Sequence, residues 1–176
     1  MAGQRLTDKT ALEQQVGSGD LLMVVDVNDT TGSAEGTSKK MDFKYLMQTD
    51  KISVSNAEVQ DLHNNAKTLV GALSGYMITP ISVTFLCTYA ASTESSNKNL
   101  YIGYNHSSDT EYWDISSRFM GNVTTDASFV FGGRSGGAGT KDTSIINSPL
   151  EIWSNGAFNG GWSADVYVTY AYTKVL

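Results

Sequence analysis

Apolar positions recur at two different periods along this chain, and the change between them falls near Gly75. Upstream, Val59, Leu62, Ala66, Leu69 and Leu73 follow one another at spacings of 3, 4, 3 and 4. That spacing is a heptad seam, and Ile52 carries its phase backward. Ser55-Asn56-Ala57-Glu58 reads as a capping box, with Val54 and Val59 as a hydrophobic staple across it. Together these signals predict a helix over 56–70, weakened at Gly71 and ended at Gly75. The seam fits a neck in which several copies meet, and equally an amphipathic helix packed on its own domain. It is shorter than the roughly three or four heptads that establish a coiled coil.

Downstream of Gly75 the period becomes two. Ile81, Val83, Phe85, Cys87 and Tyr89 alternate with Ser82, Thr84 and Thr88, and Leu86 interrupts the pattern. Further short runs follow: LYIGY at 100–104, EYWDIS at 111–116, RFMGNV at 118–123, SFVFGG at 128–133, PLEIW at 149–153 and DVYVTYAYTKV at 165–175. In the last, Val166, Val168, Tyr170 and Tyr172 share a face. Short strands separated by turn residues predict a mainly β protein, with a β-sandwich of jelly-roll type over 76–176.

The N-terminal part has its own grammar. Thr10-Ala11-Leu12-Glu13 is a second capping-box pattern, and Gly17 and Gly19 stop the helix it would begin. Leu21 to Val27 is dense in β-formers, and Met41 to Phe43 reads as its return strand. Between them, Asp26-Val27-Asn28-Asp29 invites a calcium-loop reading. Counting from Asp26, Asn28 and Thr30 fall at ligand positions, but Thr31 stands where a glycine is needed and Thr37 where a bidentate glutamate is needed. Asp and Asn turning a hairpin account for the same residues. The expected organisation is therefore an N-terminal module at 1–50, a helical neck at 51–75 and the sandwich at 76–176.

Charge supports that division. Residues 1–75 carry 7 basic and 10 acidic side chains, and the remainder carry 5 and 8. The second part holds both prolines, Pro80 and Pro149. A net charge of −6 over 176 residues argues against a nucleic-acid partner, which needs clustered cations. The doublet Lys39-Lys40 reads as a solvated hairpin edge. Cys87 is the only cysteine, so no intrachain disulfide forms, and its apolar neighbours predict a buried thiol. MAGQRLTDKT has no apolar core of a signal peptide, and no run nears the ~18 apolar residues of a membrane helix.

Catalytic patterns are weak. GGRSGGAGTKDTS at 132–144 lacks the Gly-Lys-Ser/Thr order and following helix of a phosphate loop, and 137–142 fails the dinucleotide fingerprint. His63 lies in the predicted helix. His106-Ser107-Ser108-Asp109 has the residue types of a hydrolytic triad, in consecutive turn positions that do not suit its geometry. Zinc wants three or four converging His, Cys or carboxylate ligands, and the chain offers only two histidines and one cysteine. Glu111 with Asp114 is a conceivable glycosidase pair with nothing to single it out. No enzyme, metal or cofactor is expected. Trp113, Trp153 and Trp162, beside Tyr101, Tyr112 and Tyr167, form a possible stacking platform for sugar rings, or else supply core and interface area.

The segment ALEQQVGSGDLLMVVDVNDTTGSAEGTSKKMDFKYL resembles the N-terminal modules of tailed-phage structural proteins: a short capped helix, "GD" before an apolar strand, "vvDvsd", a small-residue loop and a "GTSKK" return. VSNAEVQDLHNNAKTLVGA and PLEIWSNGAFNGGWSADVYVTYAYTKV resemble the linker helix and terminal sandwich of small virion proteins. The resemblance spans most of the chain and brings no catalytic residues. It implies a fibre- or decoration-type component of head or tail, often trimeric, assembled in the host cytoplasm and located in the virion. Its implied partners are itself, through Val59, Leu62, Ala66, Leu69 and Leu73, and other capsid or tail proteins. The alternative is a carbohydrate- or receptor-binding module that meets a host-surface glycan. Neither reading involves nucleic acid or membrane insertion.

Overall fold

A computed structural model describes residues 21–42, 46–107, 110–115, 120–133 and 144–175. The chain forms two compact units, Met1–Leu46 and Met47–Leu176. The helix expected around Thr10 and the loop at 134–143 lie outside the described residues.

In the first unit, β1 (Leu21–Asp26) pairs antiparallel with β2 (Thr37–Asp42). The return strand therefore starts at Thr37, earlier than Met41. Local polar contacts hold the turn. Asp26 Oδ1 accepts from Asn28 N at 3.1 Å, and Asp29 Oδ1 accepts from Thr31 N at 3.0 Å and Thr31 Oγ1 at 2.6 Å. These are the Asx turns that Asp offers a reversing chain. Gly36 has φ 120°, and a Cβ there would lie 2.8 Å from both Asp26 O and Val25 Cγ1, so only glycine fits.

The second unit is a β-sandwich whose named strands pair antiparallel. Its strands are β3 (Gln48–Val54), β4 (Lys67–Val70), β5 (Tyr76–Tyr89), β6 (Leu100–Tyr104), β7 (Glu111–Ile115), β8 (Ala127–Gly132), β9 (Leu150–Ser154) and β10 (Trp162–Lys174). One sheet runs β3-β10-β5-β8 and the other β4-β9-β6-β7. Counted within the sandwich, first pairs with eighth, second with seventh, third with sixth and fourth with fifth. This is the order of one long hairpin wound across two layers. The mainly β sandwich expected from the period change is thus present, and it recruits two strands from before Gly75.

Those two strands replace the expected neck. A helix, α1 (Asn56–Asp61), does begin at the capping box: Ser55 Oγ accepts from Glu58 N, and Glu58 Oε2 accepts from Ser55 N at 2.8 Å. It stops after six residues. Asp61 then accepts from the side chains of Asn64 at 2.8 Å and Asn65 at 2.6 Å, contacts that compete with helix continuation. Lys67 to Val70 goes on as a strand. Val59, Leu62 and Leu69 are all buried in the sandwich core, while Ala66 and Leu73 are half-buried. The five residues do not share one helical face, so the oligomer seam assigned to Val59, Leu62, Ala66, Leu69 and Leu73 is not formed. The apolar spacing is accounted for by one helical turn followed by a core-facing strand.

The inward residues alternate as strands require. On β10, Trp162, Ala164, Val166, Val168 and Tyr170 are buried, and they face Val83, Phe85 and Cys87 of the adjoining β5 and Leu100, Ile102, Leu150 and Ile152 of the opposite sheet. Ile81 departs from the expected alternation. The register jumps from Thr169↔Ser82 to Tyr170↔Pro80, leaving Ile81 as the extra residue of a bulge, exposed. The bulge shifts the phase: Ile78 and Pro80 point inward before it, and Val83, Phe85 and Cys87 after it. RFMGNV yields no strand among its described residues. Met120 and Asn122 there have φ 59° and 64° and belong to a turn.

Cys87 is deeply buried, and burial pushes its thiol up to about 12. A thiol that cannot ionise is a poor nucleophile. Iodoacetamide should therefore leave the native protein unmodified at neutral pH and label it fully in denaturant. Fast labelling of native protein, read by mass spectrometry, would contradict the packing around β5.

Candidate functional site

The residues singled out for chemistry are dispersed, and most have structural partners. His63 Nδ1 lies 3.1 Å from Gln60 O. His106 packs on Trp153, and Ser108 and Asp109 lie outside the described residues. Asp114 Oδ1 accepts from Asn99 Nδ2 at 2.9 Å, and Glu111 stands opposite Gly103 in the ladder. Among the described residues no group of three or more His, Cys, Asp or Glu converges as a metal site.

The tryptophan platform is also not formed. Trp113, Trp153 and Trp162 are each no more than 6% exposed. Trp113 points between the sheets and donates Nε1–H to Gly132 O at 2.9 Å. Trp162 packs edge-on against Phe158, and its Nε1 donates to Glu94 Oε2 at 3.4 Å. Trp153 lies on the outer side of the second sheet beneath Tyr101. Strand alternation separates them, since Trp113 and Trp162 occupy inward phases and Trp153 an outward one.

Two polar clusters at the margin of the core carry no distinctive sequence pattern. Tyr170 Oη lies 3.0 Å from Gln48 Oε1 and 2.8 Å from Asp50 Oδ2. One phenol proton cannot serve both. Turning the Gln48 amide over lets its Nε2, otherwise buried without a partner, donate to the phenol while the phenol donates to Asp50. Burial, and then the Asp50 carboxylate, raise the pKa of this phenol above the usual tyrosine value. The second cluster is the carboxylate of Glu94, which accepts from the backbone of Ser96, Asn159 and Gly160 and from Trp162.

The surface that stands out belongs to the hairpin. Leu21, Met23, Val25 and Val27 are 55%, 73%, 57% and 68% exposed. The first three alternate along β1 and so share one face of a two-stranded sheet. Among the described residues no third strand joins this sheet, a two-stranded hairpin is marginal in water, and exposed apolar rows are common at interaction surfaces. Beside it runs a groove of ≈ 360 Å³ lined by Leu21, Leu22, Met23, Ser38, Lys39 and Lys40. The other strand is charged. Lys39 Nζ bridges Asp26 at 3.1 Å and Asp29 at 2.7 Å, so both carboxylates of the would-be calcium loop clamp a lysine. Lys39, then the Thr31 hydroxyl and amide, lower Asp29 to about 2. This carboxylate should titrate near that value by NMR. Its contribution is complete above the ordinary 3.8 and fades as pH falls through about 2. Lys39→Met should return the midpoint toward 3.8; an unchanged midpoint would refute the clamp.

No protein-family model matches the chain, and no curated protein sequence matches it. Among solved structures, it is similar to a chain described as "Cyanophage Pam1 capsid asymmetric unit", with 14% identity, 97% of each chain covered and a TM-score of 0.38.

Proposed function

We propose that the chain is a non-enzymatic structural protein of a phage particle, held to other virion proteins by its N-terminal hairpin and displaying its sandwich. The observation that carries this reading is the row of Leu21, Met23 and Val25, exposed on a hairpin that is a unit separate from the sandwich core. An anchor needs apolar area that its own fold leaves uncovered, and this row supplies it. The resemblance of the same segment to tailed-phage N-terminal modules supports the reading independently. The wound-hairpin strand order supports a jelly-roll form for the displayed part, an architecture found in viral capsid and lectin domains.

Tagged full-length chain should be recovered in virions purified from the source. The double variant Met23→Lys/Val25→Lys should stay in the particle-free fraction with an unchanged melting temperature, since both side chains already face solvent. Absence of the wild-type chain from particles, or equal incorporation of the variant, would defeat the proposal. Electron microscopy of decorated particles then assigns head or tail.

A further inference from the structure

The outward side of the second sheet carries three aromatic rings in a row. Tyr101 on β6 and Trp153 on β9 are register partners, stacked with centroids 5.8 Å and planes 29° apart. His106, in the turn after β6, lies against the same indole at 5.6 Å. The next outward position on β6 is Gly103, where a Cβ would meet the backbone of Thr110 and Glu111 before reaching Trp153 Cη2 at 2.9 Å. Glycine is needed there for the close approach of β7, and the indole takes up the remaining space. Trp153 is buried by this arrangement, Tyr101 is half-buried and His106 exposed.

Polar groups frame the Tyr101 ring and hold one another in place. Asp114, its register partner on β7, accepts from Asn99 Nδ2 at 2.9 Å. Asn155 donates to Tyr101 Oη at 3.3 Å, and its Oδ1 accepts from Asn99 N at 2.9 Å. Asp114 and Asn155 are exposed, so further donor and acceptor positions face solvent. The outer face of the other sheet is built differently: it carries hydroxyl pairs, Thr49 with Thr169 and Thr79 with Thr173, the Lys51–Asp165 ion pair, and a Tyr167 ring that lies under the Lys51 ammonium.

We propose that this face binds a neutral pyranose of a surface glycan. The Tyr101 ring, backed by Trp153, takes the C–H side of the sugar; Asp114, Asn99 and Asn155 take its hydroxyls. A fixed aromatic plane beside a few convergent polar groups is the usual composition of a small-ligand site. The carboxylate at its edge favours hydroxyl donors and disfavours an acidic sugar. The proposal does not depend on the hairpin's role, because the site lies wholly within the sandwich.

Chitotriose, cellotriose and a galactose-terminated trisaccharide serve as probes, titrated into the full chain and followed by tryptophan fluorescence and calorimetry. At least one should saturate at millimolar affinity or tighter. Tyr101→Ala should weaken it about tenfold, the scale of one lost aromatic contact with its neighbours. Asp114→Asn, on an exposed side chain that leaves the fold intact, should weaken it as well, which keeps the test decisive if Tyr101→Ala is poorly folded. Saturation by none of the three, or binding unaltered in Asp114→Asn and in any folded Tyr101→Ala, overturns the proposal.

Discussion

Replacing Leu62 or Leu69 with aspartate is expected to unfold the sandwich, not to split an oligomer. Leu62 is 1% exposed and Leu69 3%. Removing a buried leucine side chain costs about 2–5 kcal/mol, and leaving an unpaired carboxylate there adds several more. Against a domain stability of about 5–15 kcal/mol, either change is enough to populate the unfolded state. Leu73→Asp, at a half-buried site just past β4, should be tolerated far better. Far-UV circular dichroism and sedimentation velocity separate the outcomes. If Leu62→Asp keeps the wild-type melting curve and changes only the sedimenting mass, the leucine faces another chain and the packing around α1 is wrong.

The same leucines show how far the fold was legible. The capping box at Ser55 is legible because it depends on four adjacent residues whose bonds are local. The length of the helix is not. Spacings of 3, 4, 3 and 4 are satisfied by Val59 and Leu62 on one turn and Leu69 on a strand, and only the Asn64 and Asn65 contacts to Asp61 reveal the break. Strands β5 to β10 were visible since each alternates toward one core, whereas the phase shift at Ile81 depends on its partner strand β10. Strand order was invisible for the same reason, being set by pairings such as Val54 with Ala164, far apart in the chain. The three tryptophans do not converge because aromatic content does not say which side of a strand a ring takes: Trp113 and Trp162 face inward and Trp153 outward.

Glu94→Gln should be among the most destabilising substitutions outside the apolar core, although glutamine has nearly the same shape. Glu94 is 5% exposed, yet its carboxylate is met by N–H groups on every side. Oε1 accepts from Ser96 N at 2.8 Å, and Oε2 accepts from Gly160 N at 2.8 Å, Asn159 N at 3.1 Å and Trp162 Nε1 at 3.4 Å. These bonds tie the loop after β5 to the approach to β10, where Ala90 N also donates to Gly161 O at 2.7 Å. Burial alone would raise the pKa of this carboxyl, but the donors from Ser96, Gly160 and Trp162 outweigh it and hold the value below 4.5. A group lowered in the folded state stabilises above its unfolded pKa, and the contribution disappears as pH falls through the folded one. Glutamine keeps one acceptor and turns an NH₂ toward backbone N–H groups, leaving at least one buried donor unmet and weakening charge-assisted bonds. The expected loss is about 3 kcal/mol, or about 6–12 °C in melting temperature for a chain of this size. The variant should also lose part of the decline in wild-type stability below pH 4.5. Thermal melts of both proteins across acid to neutral pH test this directly. A Glu94→Gln curve that overlays the wild type at neutral pH would mean that water, not the backbone, solvates this carboxylate.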